Sequence, residues 1–209
     1  MVISSIKDDL RFVLTYAGAC VVGVCIHEIG HALAGWVQGI PVFPTPAKEY
    51  ILLRQVEWYQ KAWISLGGVS GTALLVVCTL FWYIRTHRFS ADAVLAGILL
   101  PSCVYTVRFL AVGRGHDGLE WQEAQSALGL APAGHAVDIL FLCLFLAGAA
   151  AWLIRRHSSL RLSSAIRVVG LAVAGMVFLI ALQVTNNALF DNCFPEATTM
   201  HAPEGLGPR

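Results

Sequence analysis

Residues 12–37 read FVLTYAGACVVGVCIHEIGHALAGWV. The stretch is apolar almost throughout. At about 1.5 Å of rise per residue it is long enough to cross a bilayer core as a tilted helix. Within it lies His27-Glu28-Ile29-Gly30-His31, an H-E-x-x-H pattern. Positions i and i+4 share a helix face, so the two imidazoles can grip one metal ion. Glu28 flanks them, where a carboxylate can act as a general base towards water. A pattern this short arises by chance in soluble helices. The apolar setting weighs against chance here, because an unpaired carboxylate at the bilayer centre costs about 2.5 to 3.5 kcal/mol and a divalent cation would offset it.

The whole chain supports a membrane reading. It has 209 residues, 57% of them hydrophobic and 13% charged, with a mean hydropathy of +0.68. That is too apolar for an ordinary soluble domain. The net charge of +1 points to no partner class, and no basic run with interleaved aromatics suggests nucleic acid. Cys20, Cys25, Cys78, Cys103, Cys143 and Cys193 are scattered without C-x-x-C spacing, so no disulfide framework follows. The first apolar block has no small-residue cleavage site and carries the histidines, so it reads as a retained span.

Outward from the first span, the expected fold is all-α and polytopic, with about five transmembrane helices in one membrane domain over 1–209. Met1 to Arg11 form an amphipathic lead-in. Gln38 to Ala62 carry Pro41, Pro44 and Pro46, which interrupt helix. That segment reads as a membrane-hugging loop. A short membrane-associated β-hairpin is the alternative there, with Tyr50–Tyr59 as strand and Trp58, Tyr59 and Trp63 as an aromatic belt. Span two covers Trp63 to Ile84, and its Gly67 and Gly71 have the G-x-x-x-G spacing of a close-packing face. Span three runs from Ala93 to Val112, with a kink expected at Pro101. Span four runs from Ala136 to Ile154 and span five from Val168 to Phe190. Residues 1–128 would form the core, 129–190 add two helices, and 191–209 form a loose tail. No internal repeat is visible.

Charge sets the expected orientation. Lys7, Arg11 and the basic links after spans two and four fall on one side, which puts the N-terminus in the cytoplasm and the C-terminus outside. In either orientation the far ends of spans one and three share a side. The H-E-x-x-H helix can therefore meet Gly115-His116-Asp117-Gly118.

A catalytic zinc site usually has three protein ligands and an open position. The leading third ligand is Asp117, set between glycines just past span three. His116 is the neighbouring alternative. Glu120 and Glu123 are a further option, because soluble H-E-x-x-H enzymes often take a glutamate from a later helix. His87, His135, His157 and His201 read as interface or loop histidines. The expected chemistry is peptide hydrolysis, with Zn2+ held by His27, His31 and Asp117 and Glu28 as general base. Iron or cobalt would suit the same imidazoles. The polar end of span five, at Gln183, Asn186 and Asn187, offers a water path.

These residues in this order resemble the site-2 protease family of intramembrane zinc metalloproteases. The resemblance covers roughly the first 120 residues: His27 to His31 in a first helix, the segment Gln38 to Ala62, the glycines Gly67 to Gly71, and Asp117-Gly118. It implies cleavage of membrane-embedded substrate helices. The usual run before the family's aspartate is replaced here by Arg114-Gly115-His116. A multi-pass protein of the cell (inner) membrane is expected, with the lipid bilayer and substrate helices as partners and no nucleic acid. The alternatives are a membrane metal transporter and an inactive adaptor that binds substrate helices.

Overall fold

The computed structural model of the chain describes residues 6–52, 56–86, 90–112, 120, 122, 124–126, 129, 136–156 and 162–194. It is mostly helical, with one small sheet. Helix α1 spans Ile6–Val37 and α2 spans Trp58–Arg85. Helix α3 spans Ser90–Val112, α4 spans Ala136–Arg156 and α5 spans Leu162–Phe190. Between α1 and α2 lie strands β1, Val42–Pro44, and β2, Glu49–Ile51.

Among the described residues, three helical stretches are long and apolar enough to cross a membrane: Leu10–Val37, Trp58–Arg85 and Val173–Phe190. Two shorter apolar stretches, Ala91–Cys103 and Ile139–Ile154, lie in α3 and α4. The helices begin earlier than hydropathy alone marks them. The polar first turns of α1 and α5 and the aromatic start of α2 keep helical hydrogen bonding past the apolar boundary. Apolar side chains also face outward. Val173, Val177, Ile180 and Val184 recur at helical spacing on the exposed side of α5.

Helix α1 is central, packing mainly on α2 and α3 and also touching α5 and the hairpin. Gly30 and Gly67 make the tightest crossing. A Cβ on either would run into the other's carbonyl oxygen. The close approach expected from the G-x-x-x-G spacing is therefore present, and Gly71 lies against the Ile26 carbonyl. One core joins Val69, Val76 and Leu80 of α2 with Leu95 and Leu99 of α3 and Phe141 of α4. A second joins Phe12, Tyr16 and Cys20 of α1 with Ala93 of α3, and Leu179 of α5 packs on it. Helix α3 continues through Pro101, whose missing N–H leaves the Gly97 carbonyl without its helical partner.

The end of α1 is set by glycine. Gly39 has φ +74°, and Gly39 N–H donates to Trp36 O while Ile40 N–H donates to Gly35 O. This is a Schellman stop, which turns the chain sharply back. The hairpin that follows is antiparallel, with Val42 opposite Ile51, Phe43 opposite Tyr50 and Pro44 opposite Glu49. Ile40, Val42 and Ile51 bury against Ala32 of α1 and Ile64 of α2, and Trp36 Nε1 donates to Val42 O at 2.8 Å. The loop reading of this segment is thus corrected to a hairpin, and the strand expected at Tyr50–Tyr59 is shifted. Prolines break helix but tolerate edge strands, so the pairing starts near Pro41. Trp58 and Tyr59 already belong to α2.

The tail expected to be loose from Asp191 starts as packed chain. Lys48 pairs with Asp191, Tyr50 donates its hydroxyl to Asp191 Oδ1 at 2.9 Å, and Phe194 stacks near Phe43 and Tyr50. The hydrogen bonds from Lys48 and Tyr50 hold the Asp191 carboxyl below the usual range. Burial and the neighbouring carboxylate push the Tyr50 phenol up.

Candidate metal centre

Helix α1 presents His27, Glu28 and His31 to the interior, with fractional exposures of 7%, 2% and 0%. The two rings meet edge to face, with centroids 4.6 Å apart and planes at 88°. Their Nε2 atoms face each other at 3.0 Å. The far nitrogens are occupied. His31 Nδ1 donates to the Ile64 carbonyl at 2.7 Å, and His27 Nδ1 is 2.8 Å from Thr72 Oγ1. An Nδ1–H on His31 leaves its Nε2 as a lone pair. This is the arrangement by which an outer hydrogen bond orients a ligating histidine. Gly68 makes the pocket for the ring, since a Cβ there would strike the His31 imidazole.

A carboxylate closes the group. Glu120, buried to 2% exposure, brings Oε1 to 3.5 Å from His31 Nε2 and Oε2 to 3.7 Å from His27 Nε2. The separations are 3.0 Å between the two imidazole nitrogens, 3.5 Å from one of them to Oε1 and 3.7 Å from the other to Oε2. Ligands at about 2.0 to 2.1 Å from one tetrahedral ion stand about 3.4 Å apart. The spacing therefore suits a small divalent cation, and two imidazoles with one carboxylate suit zinc among others. Asp117 and His116, the expected third ligands, lie outside the described residues, as does Glu123. Among the described residues it is Glu120 that joins the histidines.

A fourth group was not anticipated from sequence. Glu49 of β2 is fully buried, and its ligand atom, those of Glu28 and those of His31 lie within 4.8 Å of one another. The only signal available for Glu49 was a carboxylate between Lys48 and Tyr50 in a segment otherwise rich in apolar residues and proline. Thr72 and the Ile64 carbonyl were also missed, because a hydroxyl and a backbone oxygen have no spacing signature.

A cleft open to the outside adjoins the same group. His27 and Glu28 line one wall, Thr72 and Leu75 of α2 another, and Gln183 of α5 faces them. Most of its surface is apolar, and the hairpin turn at Pro46–Ala47 forms part of its rim. Comparison with protein-family models, with curated proteins and with solved structures returns no match.

Proposed function

We propose that this chain is a multi-pass membrane metalloprotease of the site-2 protease kind, acting on membrane-embedded segments. One observation carries the reading: His27, His31 and Glu120 form a buried triangle of metal-ligand size on an apolar helix that also presents Glu28. In this reading five apolar helices cross the cell (inner) membrane, with the N-terminus in the cytoplasm. His27, His31 and Glu120 hold the ion, with Glu120 in the place expected from the sequence for Asp117. Bound zinc would polarise the scissile carbonyl and lower the pKa of water towards about 7.

The chain's own groups do the rest. Thr72 and the Ile64 carbonyl fix the rings so that both Nε2 atoms point inward. Glu28 takes a proton from the attacking water and delivers it to the leaving amine, which balances the hydrolysis. Its carboxyl hydrogen-bonds with Glu49, and its Oε2 is buried without a hydrogen-bond partner among the described residues. The apolar cleft receives an unwound stretch of substrate, since a helical peptide hides its carbonyls. Gln183 gives that cleft a polar group for water and for freed backbone.

Purified protein in detergent with a membrane-embedded test substrate checks the reading. Wild type should cleave, and a chelator should stop it. Glu28→Gln should lose about 10²- to 10⁴-fold in rate while keeping its bound metal. Undiminished cleavage by Glu28→Gln would sink the general-base role.

A further inference from the structure

Strand side chains alternate between two faces. In the hairpin, Lys48 and Tyr50 turn to one side, where both meet Asp191 at the end of α5. Glu49 turns to the other, into the interior beside Glu28 and His31. His31 is shared, because it belongs both to this group and to the triangle with His27 and Glu120. Glu28 and Glu49 thus approach His31 from one side, and Glu120 approaches both imidazoles, in one buried region. Such charge is costly without a cation to answer it. The unpartnered Glu28 Oε2 lies in the same space.

We propose that Glu49 is a displaceable ligand of the metal centre, carried in and out by the hairpin. The proposal rests on the reading of His27, His31 and Glu120 as the resident ligands. Three protein ligands leave one position for a reactant. With the hairpin seated, Glu49 fills that position and the centre is closed to outside donors. When the hairpin lifts, the position opens. Seating depends on the strap at the C-terminal end of α5. Asp191 holds Lys48 and Tyr50 there, and Phe190 and Phe194 pack on Phe43 and Tyr50. The strap acts through the hairpin and so sets how often the site is open.

The test uses the full chain in detergent with Co2+, whose visible spectrum reports its ligands, and azide as an added donor. Wild type should bind Co2+ with a spectrum that azide barely alters. Glu49→Gln should bind about tenfold or more weakly, the loss expected even for a partner of a ligand, and its spectrum should shift with azide. Asp191→Asn should keep wild-type affinity within a few-fold and gain the azide shift. Wild-type affinity and azide insensitivity in Glu49→Gln would overturn the proposal, as would an azide shift already full-sized in wild type. Should Glu49→Gln fail to fold as judged by gel filtration, Asp191→Asn decides, and an azide-insensitive spectrum there overturns the proposal. The underlying centre is tested separately by His31→Ala and Glu120→Gln. If these bind Co2+ like wild type, the centre itself is wrong rather than the role of Glu49.

Discussion

At the scale of single residues, the motif supplies the two histidines of the centre but not their aim. His27 and His31 share a face because of their spacing, and that much follows from the sequence alone. Their aim does not. It comes from Thr72 Oγ1 on one ring and the Ile64 carbonyl on the other. Thr72→Val keeps the shape and removes the hydroxyl, so His27 can rotate and lose its tautomer. The expected outcome is a 10- to 100-fold loss of metal affinity with little change in thermal unfolding, measured by metal titration and calorimetry. Val at this position binding metal as tightly as Thr would show that the hydroxyl does not orient the ring. Glu120 was one of several carboxylates open as third ligand. Nothing in its spacing singles it out, because its position depends on how the chain after α3 returns to α1.

Among the elements, the hairpin is the part least legible in the sequence. Three prolines argued for irregular chain, and the pairing of β1 with β2 depends on the Schellman stop at Gly39 and on the burial of Ile40, Val42 and Ile51. By contrast the α1–α2 crossing was legible, since small residues at four-residue spacing have one main use in an apolar helix. The strap joining the hairpin to α5 carries a pH dependence. Lys48 and Tyr50 lower the Asp191 carboxyl below its unfolded value of about 3.9. A depressed carboxyl stabilises above the unfolded value and loses that contribution as pH falls through the folded one. The strap should therefore hold unchanged from pH 7 to about 4 and release only below that. A fluorine label on Phe194, followed by NMR, should show one environment over that range and a second below it. Asp191→Asn should give the second environment at every pH. A transition near pH 6 in wild type would mean that another group governs the contact.

For the whole molecule, the apolar blocks of the sequence became helices, and their long, evenly apolar composition made that legible. Which helices cross a membrane is less so, because three reach full length and composition while α3 and α4 offer shorter apolar stretches. Outward-facing rows such as Val173, Val177, Ile180 and Val184 give the bundle an apolar exterior as well as an apolar core, which suits lipid rather than water. If five helices cross as proposed, with the basic links inside, the two chain ends fall on opposite sides. Single cysteines at Ser4 and Gly207, in a background lacking other accessible thiols, should be labelled by a membrane-impermeant reagent in intact cells only at Gly207. Labelling at both positions would require an even number of crossings.

The pleat of β2 has one more consequence. Lys48 and Tyr50 face the strap and Glu49 faces the histidines because alternate residues of a strand point in opposite directions. Slipping the pairing by one residue exchanges every side chain between the faces. Deleting Ala47 from the turn would therefore aim an ammonium and a phenol at the imidazoles and a carboxylate at Asp191. The turn length is thus a phase setting: substitutions within it leave the centre's composition alone, whereas an odd-numbered insertion or deletion inverts it.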